Sequence, residues 1–583
     1  MNFPYRRFAT LLETLCRWSI QKRVLSIVLA VVTATIALRI HTLLAQEPQY
    51  DLLIVGGHII DGSGSPWFEG SVAVKDGKIA DVGRLVNATA SRVIDAKGLV
   101  VAPGFIDLHS HSDRTLLADG KAQSKIRQGV TTEILGEDHS AAPVPPGAGK
   151  NLKQYGLIRD WTTLGEYFAR LERQGISVNI ASYVGSGQVR EVVLGEANRA
   201  PNPAELEKMK SLVDQAMREG AIGLASGLIY LPNAYAQTDE LIELAKVAAK
   251  YGGIYTTHMR GEGAHWKKSV DEVIEISEKA GLPAHILHLK IDGKPNWGQM
   301  TEQVKEIQAA RDRGADITAN QYPYIASMTD LETCLPPKYL AGSPADEVKR
   351  LQDPEVRAEI RQAIATGLPG WEVNQVKSVG GWHGVMVAAM LKPENKKYEG
   401  KRMDEVTKLM GKDPVDAVCD LLVSEGGEGE AIYFNMSDQD VESAMKQPWV
   451  GIGSDGGAAS PEMTFLGRPH PRFYGTFPRV LGVYVREKHV LTLPDAVRKM
   501  TALSAAVTGL NDRGLLRPGM AADITLFDPQ TVIDRATFEN PMQYPVGIPY
   551  VIVNGTVVID QGKHTGAMPG HVLRGRGRKN VEQ

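Results

Sequence analysis

The sequence predicts an α/β protein: a (β/α)₈ TIM-like barrel carrying a small β-sandwich domain formed from both chain ends. Three observations lead there. Short apolar runs alternate with helix-like segments through the middle of the chain, polar residues stand at the ends of those runs, and strand-like segments with Gly/Asp turns flank the middle on both sides. At 583 residues, 43% hydrophobic and 23% charged, the chain can hold a large core and more than one domain.

From the N-terminus, Arg6, Arg7, Arg17, Lys22 and Arg23 precede an uncharged run, Val24 to Leu38. That run is short of the roughly 20 residues that cross a bilayer as a helix. A basic leader before such a run is the pattern of a secretory signal, with cleavage after Ala45. Leu43 departs from the small-x-small rule at that position, so an uncleaved membrane anchor is the alternative. Residues 1–45 are therefore expected to be a signal peptide or membrane anchor. The protein is expected to be exported (periplasmic or secreted in a bacterium), with membrane attachment through residues 24–38 if they are retained.

From Tyr50, the segments YDLLIVGGHIIDG, GSVAVKDGKIADVG and SRVIDAKGLVVAPG read as strands and turns. The texture returns in AADITLFDP (521–529) and YVIVNGTVVIDQGK (550–563). These predict one composite β-sandwich domain from residues 46–102 and 513–565. Between them, residues 103–512 carry eight apolar runs: VVAPGFID, TTEILG, SVNIASYVG, AIGLASG, GIYTTHMR, PAHILHLK, DITANQYPY and WVGIGSDGG. Pro203–Glu219 has helical spacing and a stop at Gly220. Ser269 and Glu272 read as a capping box before Val273 and Ile276, with Gly281 as the stop. The seventh run ends at Tyr324 and the eighth starts at Trp449, which calls for an insertion, read as helical over about 329–430 from SPADEVKRLQDPEVRAEIRQAIATG. Residues 566–583 read as a C-terminal tail whose basic RGRGRK is solvated. A doubly wound open sheet is the runner-up architecture.

The net charge of −3 supplies no basic field for nucleic acid. Cys16, Cys334 and Cys419 are too few for a disulfide framework or a thiolate zinc cluster.

The strand ends carry the chemistry. In GFIDLHSHSD, His109 and His111 are spaced i, i+2, and a strand projects such a pair from one face. The second run ends in Glu137 and Asp138, the fifth in His258, the sixth in His288 with Lys290, and the eighth in Asp455. In a (β/α)₈ barrel all would converge on the C-terminal face. Imidazoles with carboxylates suit zinc or another borderline divalent ion. Such an ion with an open position polarises a carbonyl and acidifies water, and Asp455 could pass the proton to a leaving nitrogen. This is amide hydrolysis.

GFIDLHSH, GVTTEILGE, THMRGEG, HLK, GSDGG and LRPGMAADITLFDP together resemble the amidohydrolase superfamily across residues 50–565. DITANQYPYIAS, HPRFYGTFPRVLG and MPGHVLRG sharpen the likeness to the N-acyl-D-amino-acid deacylases, or D-aminoacylases. The resemblance implies one or two Zn²⁺ ions held by His109, His111, His258 and His288, with Asp455 as ligand and catalytic acid/base. It implies that Arg472 grips the α-carboxylate of a small N-acyl amino acid, a task suited to a guanidinium fork. Lys290, Tyr230 and Tyr322 match further substrate contacts. Where better-known members have a bridging cysteine, this chain has GEDHS. Glu137, nearest the strand end, is the expected bridge, and Asp138 is the alternative. No lysine ends the second strand, so a carbamylated-lysine bridge is not supported. Met328 and the stretch YVGSGQVR also depart from relatives. The expected reaction is hydrolysis of N-acyl-D-amino acids to a carboxylate and a free D-amino acid. The alternatives are a cyclic amidase or dipeptidase of the same superfamily, or a non-catalytic metal-containing binding protein, against which the intact Asp455 argues.

Overall fold

The computed structural model describes residues 5–44, 48–149, 151–369, 371 and 373–577. The cleavage position expected after Ala45 and the last residues of the basic tail, 578–583, lie outside the described residues. The chain starts with a 40-residue helix, Tyr5–Leu44, far longer than the uncharged run alone suggests. No Gly or Pro interrupts it, and Leu11, Leu12, Leu15, Trp18 and Ile20 extend the apolar character upstream. Leu11–Ile36 is long and apolar enough to cross a membrane, and none of its most apolar window is buried against the rest of the protein.

Strands from the two chain ends form one nine-stranded sheet. Tyr50–Ile59 pairs antiparallel with Phe68–Lys75 and parallel with Ala90–Asp95 and Val100–Pro103. Val100–Pro103 then pairs antiparallel with Ile524–Phe527, which brings in the C-terminal strands Tyr550–Val553, Thr556–Asp560 and Lys563–His564. Alternating residues such as Leu52, Ile54, Val72, Val74, Ile524 and Ile552 form one buried cluster. The turn Asp76–Gly77 has positive φ at both residues, as a two-residue hairpin between right-twisted strands requires. In its hydrogen bonding the region expected to form the β-sandwich is one continuous sheet, because Val100–Pro103 pairs with Tyr50–Ile59 from one end of the chain and with Ile524–Phe527 from the other.

The eight predicted runs all contain strands, and every neighbouring pair is parallel. Phe105–Asp107, Val130–Leu135 and Asn179–Ser182 form a three-stranded sheet. Val184–Gly185, Gly223–Gly227, Ile254–His258, Ala284–Ile286, Ile317–Gln321 and Val450–Ile452 form a six-stranded sheet in chain order. Their residues are buried almost throughout, as expected where helices cover a parallel sheet. A parallel bridge between Ser110 and Gly456 ties the last strand back to the first.

Helix boundaries follow the side-chain chemistry. Pro203–Glu219 begins with a reciprocal Asn202–Glu205 capping box and ends at Gly220 in the left-handed region. The next-but-one helix, Trp266–Ala280, starts a turn earlier than its sequence suggests. Glu272 accepts hydrogen bonds from Thr238 and Arg260 instead of capping, and Ser269 is buried within the helix.

The insertion is not wholly helical. Its helices Pro344–Leu351, Pro354–Thr366, Met403–Met410 and Pro414–Glu425 accompany an antiparallel sheet of Ser327–Asp330, Glu430–Tyr433 and Val385–Ala389. It has its own core, with Leu331, Ile360, Val387, Val418 and Leu422.

Candidate metal centre

A buried ion pair sets the frame. Lys125 donates to Asp107 at 2.7 Å and to the carbonyl of Gly456 at 2.6 Å, and none of its side chain is exposed. Asp107 in turn accepts from the backbone N–H of His109 and of Ser454. The first and eighth strand ends are thereby laced together, and the Asp455 N–H donates to the carbonyl of His109 at 2.8 Å. Asp138, His288 and Asp455 all have positive φ (40°, 35° and 51°), an uncommon conformation for residues other than glycine. Such local strain is often held at functional sites.

His109 Nε2 lies 2.6 Å from Glu137 Oε2 and 3.6 Å from Asp455 Oδ1, while His111 Nε2 lies 3.1 and 2.9 Å from the same two oxygens. On the other side of Glu137, Oε1 is 3.7 Å from His258 Nδ1, which is 2.9 Å from His288 Nε2. Two metal-competent groups result, His109–His111–Glu137–Asp455 and Glu137–His258–His288, in each of which the donor atoms fall within 4.8 Å of one another. They share Glu137. Its Oε1 is buried without a hydrogen-bond partner, which fits a carboxylate oxygen reserved for a cation.

Asp138 is engaged elsewhere. Its Oδ1 accepts from the Gly227 N–H at 2.9 Å and from Asn233 Nδ2 at 2.6 Å, and its Oδ2 lies 2.8 Å from His139 Nδ1. A Cβ at Gly185 would come within 1.8 Å of the Asp138 carbonyl oxygen, and one at Gly187 within 2.4 Å of its carboxylate. The glycines of YVGSGQVR therefore make the seat in which Asp138 sits.

Around the cluster, Arg472 Nη1 is 2.9 Å from Asp455 Oδ2, and its guanidinium lies 4.8 Å over the Tyr322 ring. The Tyr322 hydroxyl is buried with no partner. Tyr230 meets His258 edge-on, and its hydroxyl is 3.3 Å from Thr329 Oγ1. Lys290 reaches His288 Nδ1 and Glu262, both at 2.7 Å. Glu262, which sequence reasoning passed over, also stands 3.0 Å from His288 Nδ1 and 3.4 Å from His258 Nε2. These groups line one cavity of about 370 Å³.

The electrostatics favour a cation. Burial alone would raise Glu137, but His109 and His111 draw it well below the usual carboxylate range. For Asp455 the same penalty is outweighed by Arg472 and then by the imidazoles. Burial lowers His109, and it pushes His258 down to about 3. His111 is the exception. Although burial works against it, hydrogen bonds to Asp455 and Glu137 hold its proton up to about 10, and this half-exposed ring would release that proton to an incoming metal. Ionised carboxylates and neutral imidazoles are the forms that bind divalent ions.

The sequence model of the amidohydrolase family matches residues 92–559. The D-aminoacylase of Alcaligenes xylosoxydans xylosoxydans is 37% identical over 529 residues, which covers 90% of this chain and 97% of that protein. Among solved structures, the N-acyl-D-glutamate deacylase of Bordetella bronchiseptica was captured with zinc and a phosphonate inhibitor that mimics the tetrahedral intermediate. It is 34% identical with a TM-score of 0.77, covering 91% of this chain and 100% of its own. A D-aminoacylase structure that addresses the role of a binuclear metal centre is 34% identical with a TM-score of 0.75, covering 90% and 100%.

Proposed function

The chain belongs to the amidohydrolase family, and on that premise we propose that it is a zinc-dependent enzyme hydrolysing the amide bond of N-acyl-D-amino acids to a carboxylate and a free D-amino acid. The observation that carries this is the position of Asp455, with one carboxylate oxygen toward the imidazoles and the other toward Arg472. Proton transfer and carboxylate recognition are thereby one contact apart.

We assign His109, His111, Glu137, His258, His288 and Asp455 to the metal, with Glu137, not Asp138, as the bridge. Zinc, when bound, supplies polarisation of the amide carbonyl and a more acidic attacking water. Asp455 takes the proton from that water and delivers it to the departing nitrogen. Arg472 leaves Asp455 to grip the α-carboxylate through its fork. Lys290, Tyr230 and Tyr322 supply further donors around the acyl amino acid. With the carboxylate held at Arg472 and the amide nitrogen at Asp455, one hand at Cα directs the side chain into the remaining cavity and the other into the wall.

This reading takes the two parallel sheets as one eight-stranded (β/α)₈ barrel, with residues 46–102 and 513–565 as its companion β domain. The exposed N-terminal helix supports export of the protein, with Leu11–Ile36 directing it to the membrane.

Substitution of the proton carrier tests the proposal. Asp455→Asn should lower kcat by about 10²–10⁴-fold, while elemental analysis still finds zinc in the variant. Turnover within threefold of the parent would overturn the assignment.

A further inference from the structure

The insertion brings two carboxylates face to face. Its strands Ser327–Asp330 and Glu430–Tyr433 pair antiparallel, in a register that sets Asp330 directly opposite Glu430. Like charges in that relation destabilise a sheet. Neither side chain makes a hydrogen bond or an ion pair among the described residues. Burial first, and the Asp330 charge next, push Glu430 up to about 7 against the positive charges of Arg472 and His111; burial and the charge of Glu428 push Asp330 up to about 6 against His139. Asp330 is nonetheless open to the cavity, so the two groups face a space and not a packed interior.

Both line the cavity onto which the candidate metal ligands open, together with Ile229, Met328 and Leu466. The cavity's own cations are already matched: Arg472 and the protonated His111 each with Asp455 at 2.9 Å, Lys290 with Glu262 at 2.7 Å, and His139 with Asp138 at 2.8 Å. Asp330 and Glu430 are left without an ion-pair partner of their own among the described residues, and Arg472 and His111 act on Glu430 only from a distance. Independently, the cavity presents buried, unpartnered polar atoms, the Tyr322 hydroxyl and the Arg472 Nε, as a binding site awaiting a ligand does.

Resting on the deacylase reading, we infer that the preferred substrate carries a positive charge in addition to the α-carboxylate that Arg472 receives, and that Asp330 and Glu430 are the specificity-determining residues that bind it. The charge is either on a basic D-amino-acid side chain or on an ammonium of the acyl group. An ammonium, with three donors, can bridge both carboxylates, and such charge-assisted hydrogen bonds are the strong ones. The apolar residues of the cavity suit an aliphatic stem.

The test compares kcat/KM at pH 7.5 for N-acetyl-D-lysine and N-acetyl-D-norleucine, which share a stem and differ in charge. A second arm compares glycyl-D-norleucine with N-acetyl-D-norleucine and so moves the charge to the acyl side. One arm should favour the cationic substrate by about tenfold or more, and that arm identifies the source. In the double variant Asp330→Asn/Glu430→Gln the ratio should fall toward one, and Glu430→Lys should shift preference toward N-acetyl-D-glutamate. Each ratio is taken within one protein preparation, so partial misfolding cancels. If norleucine is hydrolysed with no preference for charge in either arm, or if the double variant keeps the parental ratio, this inference falls and the deacylase reading stands. If zinc-loaded protein hydrolyses none of the three, both fall.

Discussion

Glu262 is shared by three neighbours: Lys290 at 2.7 Å, His288 Nδ1 at 3.0 Å and His258 Nε2 at 3.4 Å. A carboxylate that contacts the far nitrogen of an imidazole fixes how the ring presents its other nitrogen, and losing such a partner costs about 10–100-fold in metal affinity. Glu262→Gln should therefore weaken zinc binding by that factor in chelator competition, with less effect on KM than on kcat at limiting zinc. Unchanged zinc affinity would show that Glu262 only pairs Lys290. Arg472→Ala should lower kcat/KM for an N-acyl-D-amino acid by about 10–100-fold, the worth of a charge-assisted contact. The penalty should largely vanish for the corresponding α-carboxamide, which has no charge to grip. Residues of this kind differ in how well a sequence announces them. His109, His111, His258 and His288 stand at the ends of apolar runs, which places them at one rim; only His258 is within a strand, while His109, His111 and His288 lie just past theirs, where the turn and not the strand's alternation sets their direction. Glu262 lies beyond a run, in a loop with no period, and Lys125 reads as an ordinary helix-surface lysine until the fold buries it against Asp107.

Elements were legible where their ends carry distinctive chemistry. Asn202, Pro203, Glu205 and Gly220 punctuate one helix at both ends, and sequence and structure agree on its limits. Asn202→Ala should cost about 1 kcal/mol in denaturant unfolding, and a change below a few tenths would mean that tertiary packing alone holds that terminus. Ser269 and Glu272 have equally good cap chemistry, but Trp266 and Val270 are buried and carry the helix past them. The insertion's short strands lack alternation long enough to separate them from the helices around them. Within the sixth strand, His285 is fully buried between Thr318 and Asn320, and burial pushes it down to about 3. An unfolded chain takes up this proton near pH 6.5 and the native protein only near 3. The stability this group contributes is therefore complete above pH 6.5 and falls as pH drops, by about 1.4 kcal/mol per unit. Between pH 7 and 5, His285→Gln should lose about 2 kcal/mol less unfolding free energy than the parent; equal losses would place the proton elsewhere.

At the scale of the whole molecule, the N-terminal helix buries none of its apolar window against the body, while the strand Val100–Pro103 joins both chain ends in one sheet. Removing residues 1–44 should thus leave kcat/KM within about twofold and shift the protein from the membrane fraction to the supernatant; loss of activity would show that the helix supports the fold. The two-ended β region was readable because the same strand-and-turn texture recurs near both ends. The hydrogen bonding that makes it one sheet was not, because pairing between residues more than four hundred positions apart leaves no local mark. The central claim is that the metal cluster, Asp455 and Arg472 act together on one hand of an N-acyl amino acid. The most direct measurement is amine release by zinc-loaded protein from matched N-acyl-D- and N-acyl-L-amino acids over a panel of side chains. The account predicts hydrolysis of the D series, with the L series at least about 100-fold slower. Equal rates for the two hands, or no release from either with zinc bound, would contradict it.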